Sequence, residues 1–237
     1  MSGRRALITG ASSGIGAALA RQLGADGCEV VLVGRDAARL AEVARCCGGR
    51  PLVADLGEPA GLERVAAAAA DVDLLINNAG FGHTGPLGSM PAGLVRELIE
   101  VNLTAPVQLT RAALPGLAAR GGRIGFVSSI AATGVAEEAV YSAAKAGLRA
   151  FAASLAHEGV PVSTAFPGVV DTPFFARRGA RPPGRLRPVA PERVARALLR
   201  ALATGTPEVF VPGWLDLAAR VQGALPTTFQ RLARRCG

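Results

Sequence analysis

The segment Ala6-Leu-Ile-Thr-Gly-Ala-Ser-Ser-Gly-Ile-Gly16 joins a short apolar run to a glycine-rich turn, and an amphipathic stretch follows directly. This order predicts a strand, a turn and a helix, where free backbone N–H groups and the positive helix end can bind a pyrophosphate. Glycines permit the tight turn and let a ligand approach the backbone closely. The spacing is not the common GxGxxG, so a purely structural turn stays an alternative. The predicted coenzyme contacts in the turn are Gly10, Ser12, Ser13, Gly14, Ile15 and Gly16.

Short apolar runs alternate with helix-length segments along most of the chain. The runs are continuously hydrophobic, which is typical of parallel strands that are covered on both faces. The predicted strands are residues 6–9, 30–34, 52–54, 74–77, 124–128, 162–166 and 208–211. The predicted helices are residues 14–25, 37–46, 60–70, 92–119 with a break near Pro106, 139–157 and 191–203. The alternation predicts an α/β fold, a doubly wound and mostly parallel sheet in a single domain.

The end of the chain departs from this alternation. We expect residues 1–212 to form the dinucleotide-binding domain, with a substrate loop at about 173–188 that is rich in arginine and proline. Residues 213–237 form a basic, amphipathic extension of the same domain in this interpretation. The extension could pack on the domain or on a partner subunit, and contact with an anionic membrane surface is the second option.

The charged residues exclude several classes of protein. The net charge is +8, and Lys145 is the only lysine among the 26 basic residues. A Walker-type phosphate loop and a protein kinase both need lysines that this chain cannot supply. The positive charge could be a plain arginine bias, or it could steer an anionic ligand such as a dinucleotide, a CoA thioester or an acidic carrier protein. With one Tyr, one Trp and no recognition motif, nucleic acid is not an expected partner.

The cysteines and histidines are too few and too scattered for a metal site. The chain has two His, and its cysteines Cys28, Cys46, Cys47 and Cys236 form no CxxC pair. We therefore predict no zinc or iron–sulfur site. The first residues lack a signal-peptide core, and no apolar run reaches membrane-spanning length. These features predict a reduced, cytoplasmic, soluble protein.

The only tyrosine and the only lysine lie four residues apart, at Tyr141 and Lys145, in a predicted helix. Residues at this spacing share one helix face. A phenol with a pKa near ~10 is a poor acid–base group at neutral pH. A neighbouring ammonium favours the phenolate and lowers that pKa, so the pair is typical of a catalytic acid–base.

The choice of dinucleotide depends on the end of the second predicted strand, Gly34-Arg35-Asp36. An acidic residue there would accept hydrogen bonds from the adenosine ribose, whereas an arginine suits a 2′-phosphate. Arg35 favours NADP as the coenzyme, while Asp36 leaves NAD as an alternative. Asp55, at the end of the third strand, could accept a bond from the adenine amino group or cap the next turn.

Polar side chains also follow the fourth and fifth strands. Asn77 and Asn78 end the fourth strand, Asn102 lies in the helix beyond it, and Ser128-Ser129 end the fifth. Open α/β sheets bind ligands at the carboxyl ends of their strands. We therefore expect these side chains to converge on one cleft.

Taken in this order, the motifs resemble the short-chain dehydrogenase/reductase family over roughly residues 4–212. The resemblance rests on the glycine turn, Asn77-Asn-Ala-Gly80, Asn102, Ser128-Ser129, Tyr141-Ser-Ala-Ala-Lys145 and Pro167-Gly168. It implies a Rossmann-type fold, a nicotinamide coenzyme and a dimer or tetramer joined through the helices at 105–119 and 139–157. The further coenzyme contacts that it implies are Leu56, Asn78, Ala79, Gly80, Pro167, Gly168 and Thr172.

The same resemblance implies the roles of the catalytic residues. Tyr141 is the general acid–base, and Lys145 binds the nicotinamide ribose and lowers the tyrosine pKa. A serine orients the substrate oxygen, and Asn102 holds a water in the proton relay.

The identity of that serine depends on the alignment. The family usually places it thirteen residues before the tyrosine, which selects Ser128. The surrounding Ser-Ser-Ile-Ala pattern instead selects Ser129, with the following loop shortened by one residue. We favour Ser129, because a loop deletion costs less than a register shift that turns every strand side chain to the opposite face.

The sequence thus predicts an NADP(H)-dependent oxidoreductase that interconverts a ketone or aldehyde and an alcohol. One alternative is a carrier- or CoA-linked β-ketoacyl reductase, in which the arginines of residues 177–187 dock an acidic partner. The other is a regulatory NADP-binding protein that has kept the fold without the chemistry. Substrate identity lies beyond the sequence.

Overall fold

The computed structural model describes residues 3–174 and 187–227. The described residues form a seven-stranded parallel sheet with the order β3-β2-β1-β4-β5-β6-β7. The strands are β1 (Arg5–Thr9), β2 (Glu29–Gly34), β3 (Arg50–Val53), β4 (Leu74–Asn77), β5 (Arg123–Val127), β6 (Val162–Pro167) and β7 (Glu208–Val211). The doubly wound, Rossmann-type sheet that the sequence predicts is confirmed, and β4 and β7 have the predicted bounds.

Helices connect the strands and cover both faces of the sheet. They are α1 (Gly14–Ala25), α2 (Ala37–Cys47), α3 (Pro59–Ala69), α4 (Ala92–Ile99), α5 (Ala105–Arg120), α6 (Ala139–Leu155), α7 (Pro191–Thr204) and α8 (Leu215–Ala224). Neighbouring residues of β1 point to opposite faces, so Ile8 packs with Leu19 of α1 while Leu7 packs with Leu109 of α5. Both faces are therefore buried, which explains why the strands are apolar without alternation.

The strand order reverses at β1, which pairs with β2 on one side and with β4 on the other. Loops that leave the carboxyl ends of β1 and β4 turn to opposite sides of the sheet. The gap between them is where doubly wound sheets bind their ligands. The fold thus places the glycine-rich turn after β1 beside the Asn77-Asn-Ala-Gly80 turn after β4.

The long helix predicted at residues 92–119 is divided in two near the predicted position. It breaks before Pro106, at the π-helical turn Glu100–Thr104 that separates α4 from α5. Pro106 lies in the first turn of α5, where a residue without an N–H group costs no hydrogen bond. The break thus lies close to Pro106, as predicted, and its π-helical turn is centred on Asn102.

The last described helix, α8, packs on the carboxyl end of β6 and β7. Its residues Leu215 and Ala219 are buried beside Phe166 and Phe210, whose rings are stacked at 4.7 Å. Parts of the predicted substrate loop (residues 175–186) and of the tail (residues 228–237) lie outside the described residues. No helix in the described part of the chain is long and apolar enough to cross a membrane.

Candidate active site

A cleft of about 540 Å³ opens at the carboxyl ends of the strands. Most of the site residues predicted from the sequence line it. These are Gly10, Ser12, Ser13, Gly14, Ile15, Arg35, Asp55, Leu56, Asn78, Ala79, Gly80, Ser129, Tyr141, Lys145, Pro167, Gly168 and Thr172. Gly16 and Asn102 are not part of its lining. Gly16 lies behind Gly10, and Asn102 lies behind Gly80.

The glycines of the turn after β1 lie where a side chain would not fit. Gly10 adopts a φ of +67°, and a Cβ atom there would approach the Cα of Ala79 to 2.8 Å. A Cβ atom on Gly16 would overlap the carbonyl oxygen of Gly10. Gly16 therefore acts from behind the cleft, by letting α1 pack against the end of β1. This close packing brings the first turn of α1 to the cleft, and Ser13, the residue before the helix, forms no side-chain cap on it.

Hydrogen bonds tie the ends of β1 and β4 together. The Thr9 hydroxyl oxygen accepts from the backbone N–H groups of Asn78 and Ala79 at 2.9 and 3.0 Å. The Asn78 side-chain amide donates to the carbonyl oxygens of Thr9 and Gly10 at 2.8 and 3.1 Å. Asn78 thus fixes the shape of the glycine turn, and Thr9 is a supporting residue that the sequence reasoning missed.

Asn77 does not join the cleft, so the expectation that all of the strand-end side chains converge there is wrong for this residue. Its side-chain amide donates to the Thr110 hydroxyl of α5 at 3.2 Å in the buried layer beneath the sheet. Adjacent strand residues point to opposite faces. Asn77 and Asn78 therefore cannot both face the ligand, and this alternation was the available signal.

The Tyr141–Lys145 pair lies on the cleft-facing side of α6. Tyr141 is 6% exposed and Lys145 is 3% exposed, with the lysine Nζ 5.7 Å from the centre of the tyrosine ring. The ammonium donates to the Val127 carbonyl oxygen at 3.1 Å. Because burial penalises the charged form, the pKa of Lys145 is lowered to about 8. The lysine is therefore a cation that can release its proton near physiological pH.

Asn102 lies behind Gly80, next to the lysine. It is fully buried, and its side-chain amide donates to the carbonyl oxygens of Phe81 and Leu98 at 2.9 and 3.0 Å. A Cβ atom on Gly80 would come within 3.3 Å of the Lys145 Nζ and closer still to the Asn102 Oδ1. The Oδ1 atom has no hydrogen-bond partner among the described residues. The Asn102 Oδ1 is thus a buried hydrogen-bond acceptor close to the Lys145 ammonium. A side chain at position 80 would fill the space next to it, and Gly80 has none.

Both serines line the cleft but have different partners. Ser128 is buried, and its hydroxyl donates to the Lys145 carbonyl oxygen at 3.1 Å. Ser129 is half-buried, and its hydroxyl oxygen accepts from the Ala131 N–H at 3.1 Å. The Ser128 proton is therefore committed to α6, while this cap leaves the Ser129 proton available to a ligand.

Charged residues mark the other end of the cleft. An Nη1 atom of Arg35 lies 3.4 Å from the Asp55 Oδ2 and 3.8 Å from the Glu97 Oε1. Asp55 also accepts from the Gly57 N–H at 2.9 Å, so both of its predicted alternatives remain compatible with its position. Asp36 caps α2 by accepting from the Arg39 N–H at 3.0 Å. Glu97 was not predicted from the sequence.

Comparison with known proteins agrees with the fold and the motifs. The short chain dehydrogenase family matches residues 4–182. The ketoacyl reductase HetN of Nostoc sp. is 33% identical over 227 residues, which cover 89% of this chain and 79% of that protein. The cis-4-hydroxycyclohexanecarboxylate dehydrogenase of Sinomonas cyclohexanicum is 38% identical over 219 residues, covering 82% of this chain and 87% of that protein.

A solved structure is similar over nearly the whole chain. The short-chain dehydrogenase from Sphingobium yanoikuyae in complex with NADPH has a TM-score of 0.83 and 28% identity, covering 94% of this chain and 96% of that chain. The sequence, the sheet order and these matches agree, and they confirm the resemblance drawn from the motifs. The chain belongs to the short-chain dehydrogenase family of oxidoreductases.

Proposed function

We propose that this oxidoreductase uses NADP(H) to interconvert a ketone or aldehyde and an alcohol, with Tyr141 as the general acid–base. The observation that carries the proposal is the buried Tyr141–Lys145 pair at the wall of a cleft with a glycine-rich turn. A module that only binds a ligand has no use for a phenol beside a buried ammonium. This supports an enzyme over the regulatory alternative.

The residues of the cleft fit a dinucleotide. The turn at Gly10 and Gly14 has positive φ angles and no side chains, which lets a pyrophosphate reach the backbone N–H groups of α1. Arg35 and Asp55 would hold the adenosine end. Pro167, Gly168 and Thr172 would hold the nicotinamide end, and a Cβ atom on Gly14 would lie 2.8 Å from the Thr172 Cγ2.

The charged residues after β2 support NADP over NAD. A carboxylate that selects NAD must accept hydrogen bonds from the ribose hydroxyls. Asp36 uses one oxygen to cap α2, and its other oxygen lies 3.4 Å from the Arg39 guanidinium. Arg35 and Asp36 both line the cleft, and the Arg35 guanidinium suits a 2′-phosphate.

The reaction that follows is a balanced transfer of a hydride and a proton. The nicotinamide, when bound, supplies or accepts the hydride at the substrate carbon. In reduction, the Tyr141 hydroxyl donates its proton to the carbonyl oxygen, and in oxidation the phenolate takes it back. The Ser129 hydroxyl donates a hydrogen bond to the same oxygen and so orients it.

Lys145 and Asn102 support the tyrosine in this mechanism. The ammonium stabilises the phenolate that forms when the proton leaves. With a pKa of about 8, Lys145 can itself pass a proton on. The buried Asn102 Oδ1, beside the lysine, offers an acceptor for a water that links this group to solvent.

The test is to mix the purified protein with NADPH and a panel of carbonyl compounds, and to follow NADPH oxidation. The panel contains simple ketones, alicyclic ketones and 3-oxoacyl thioesters. We expect at least one class to be reduced, with loss of turnover in the Tyr141→Phe variant. Coenzyme binding with no oxidation by any compound, and no effect of Tyr141→Phe, would favour the regulatory alternative.

A β-ketoacyl reductase is the second candidate, because the Nostoc relative is named a ketoacyl reductase. A KM that rises with salt for carrier-bound but not for free substrates would favour it. The arginines of residues 177–187 that would dock an acidic carrier lie mostly outside the described residues. Assembly as a dimer or tetramer through α5 and α6, and the cytoplasmic location, also remain predictions from the sequence.

A further inference from the structure

A pair of carboxylates shares one arginine at the adenosine end of the cleft. The Arg35 Nη1 lies 3.4 Å from Asp55 and 3.8 Å from Glu97, and all three residues line the cleft. Glu97 belongs to α4 and lies one helical turn before Val101, which also lines the cleft. The side chains of Arg35 and Glu97 are 62% and 47% exposed. The Arg35–Glu97 ion pair is therefore accessible to a ligand, and water partly screens the attraction between its charges.

The two carboxylates differ in their other contacts. Asp55 has a second role, since its Oδ1 accepts from the Gly57 N–H in the turn after β3. Glu97 has no second basic partner within ion-pair distance among residues 3–174 and 187–227. Among these residues, Arg35 is thus the one basic side chain that the Glu97 carboxylate faces at this distance. The contact places a negative charge beside the arginine that would receive a 2′-phosphate.

We infer that Glu97 opposes the coenzyme 2′-phosphate, by occupying Arg35 and by its own charge, and so limits the preference for NADP(H) over NAD(H). The inference rests on the proposed binding of the coenzyme in this cleft. A 2′-phosphate must displace the carboxylate from the guanidinium and remain beside a like charge. NAD(H) carries a hydroxyl at that position, so it meets neither cost. Glu97 is in this sense a positioning residue that acts on coenzyme choice through Arg35.

The test compares Glu97→Gln with the wild type by equilibrium titration with NADPH, NADH, 2′,5′-ADP and 5′-AMP. Gln keeps the size of the side chain and removes its charge. We expect the ratio of NADPH to NADH affinity to rise about threefold to tenfold at low salt, because an exposed pair is worth little more. The affinities for NADH and 5′-AMP should change by less than about twofold, since neither carries a 2′-phosphate. The gain should shrink as salt is added.

Glu158→Gln is the matched control. Glu158 is exposed just beyond the end of α6, at the amino ends of the strands, whereas the cleft lies at their carboxyl ends. The substitution therefore removes the same charge far from the cleft. A lower NADPH preference in Glu97→Gln would overturn the inference, since it would mean that Glu97 holds Arg35 in place for the phosphate. An unchanged preference would overturn it too, since the charge of Glu97 would then have no effect on coenzyme choice. An equal gain in Glu158→Gln would also overturn it. If the wild type bound neither coenzyme, the proposed function itself would fail, and that outcome is distinct from both.

Discussion

The two ends of the cleft are built in opposite ways. At the catalytic end, Tyr141 and Lys145 of α6 are 6% and 3% exposed, and the Lys145 ammonium donates to the end of β5. At the adenosine end, the side chains of Arg35 and Glu97 are 62% and 47% exposed and held by ion pairs. Electrostatic interactions are strong where water is excluded and weak where it is present. The geometry of the chemical step is therefore fixed by burial, while the coenzyme preference rests on small interaction energies that a single substitution can change.

Removal of the buried phenol hydroxyl should have the largest effect on turnover. Tyr141→Phe keeps the ring and its contact with Phe174, whose centre lies 5.8 Å away. We expect kcat to fall roughly 10³-fold, because the general acid–base is lost. The dissociation constant for NADPH, measured by titration, should change by less than about twofold. Retention of most of the turnover would show that another group moves the proton.

Substitutions of Ser128 and Ser129 test which of the two serines after β5 is the catalytic one. Ser129→Ala should lower kcat about 10²-fold, because the substrate oxygen loses a hydrogen-bond donor. Ser128→Ala should keep kcat within about threefold of the wild type and lower the free energy of unfolding by about 1 kcal/mol, since its bond to α6 is lost. Steady-state kinetics and urea unfolding measure the two effects. The reverse pattern would place the catalytic serine at position 128.

At the exposed adenosine end of the cleft, even the loss of a full charge should have a smaller effect than the loss of one hydroxyl group at the catalytic end. Arg35→Gln should weaken NADPH binding about tenfold at low salt and leave NADH binding nearly unchanged, since only the 2′-phosphate loses a partner. Titration with both coenzymes measures the effect. Arg21→Gln, on the exposed face of α1, is the control for net charge. A loss confined to NADH would reverse the coenzyme assignment.

The smallest expected effect is the pH dependence of stability due to Lys145. Burial lowers the pKa of Lys145 to about 8, whereas an unfolded lysine titrates near 10.5. Between these values the unfolded chain binds more protons, so the free energy of unfolding should rise with pH, by about 1 kcal/mol from about pH 8 to about pH 9. Urea unfolding of the wild type and Lys145→Met, without coenzyme, measures the difference. Parallel curves for the two proteins would show that the ammonium titrates as in water.

The parts of the site that could be predicted from the sequence are those set by local spacing. The glycine turn follows from its position between a strand and a helix. The Tyr141–Lys145 pair follows from its offset in a helix, which the structure places on one face of α6. The choice between Ser128 and Ser129 could only be argued from alignment. Their partners in the structure support Ser129, because the Ser128 hydroxyl donates to α6.

The parts that could not be predicted depend on contacts between distant segments. Glu97 meets Arg35 only because the fold brings α4 near the residue that follows β2, and no local pattern marks either residue as a partner. Pro106 predicts a helix break in its neighbourhood, but the sequence did not indicate that the break takes the form of a π-helical turn. Tertiary packing puts the irregular turn at Glu100–Thr104, where Asn102 is fully buried.

The π-helical turn Glu100–Thr104 determines how α4 is rotated about its axis relative to α5. A π turn holds one residue more than an α-helical turn, and each residue corresponds to about 100° of rotation. With this offset, Glu97 and Val101 reach the adenosine end, Asn102 lies beside Lys145, and Leu109 stays in the core. Deleting a single residue from Glu100–Thr104 would rotate α4 away from Arg35 while α5 stayed in place. One irregular turn therefore keeps both halves of the ligand cleft aligned.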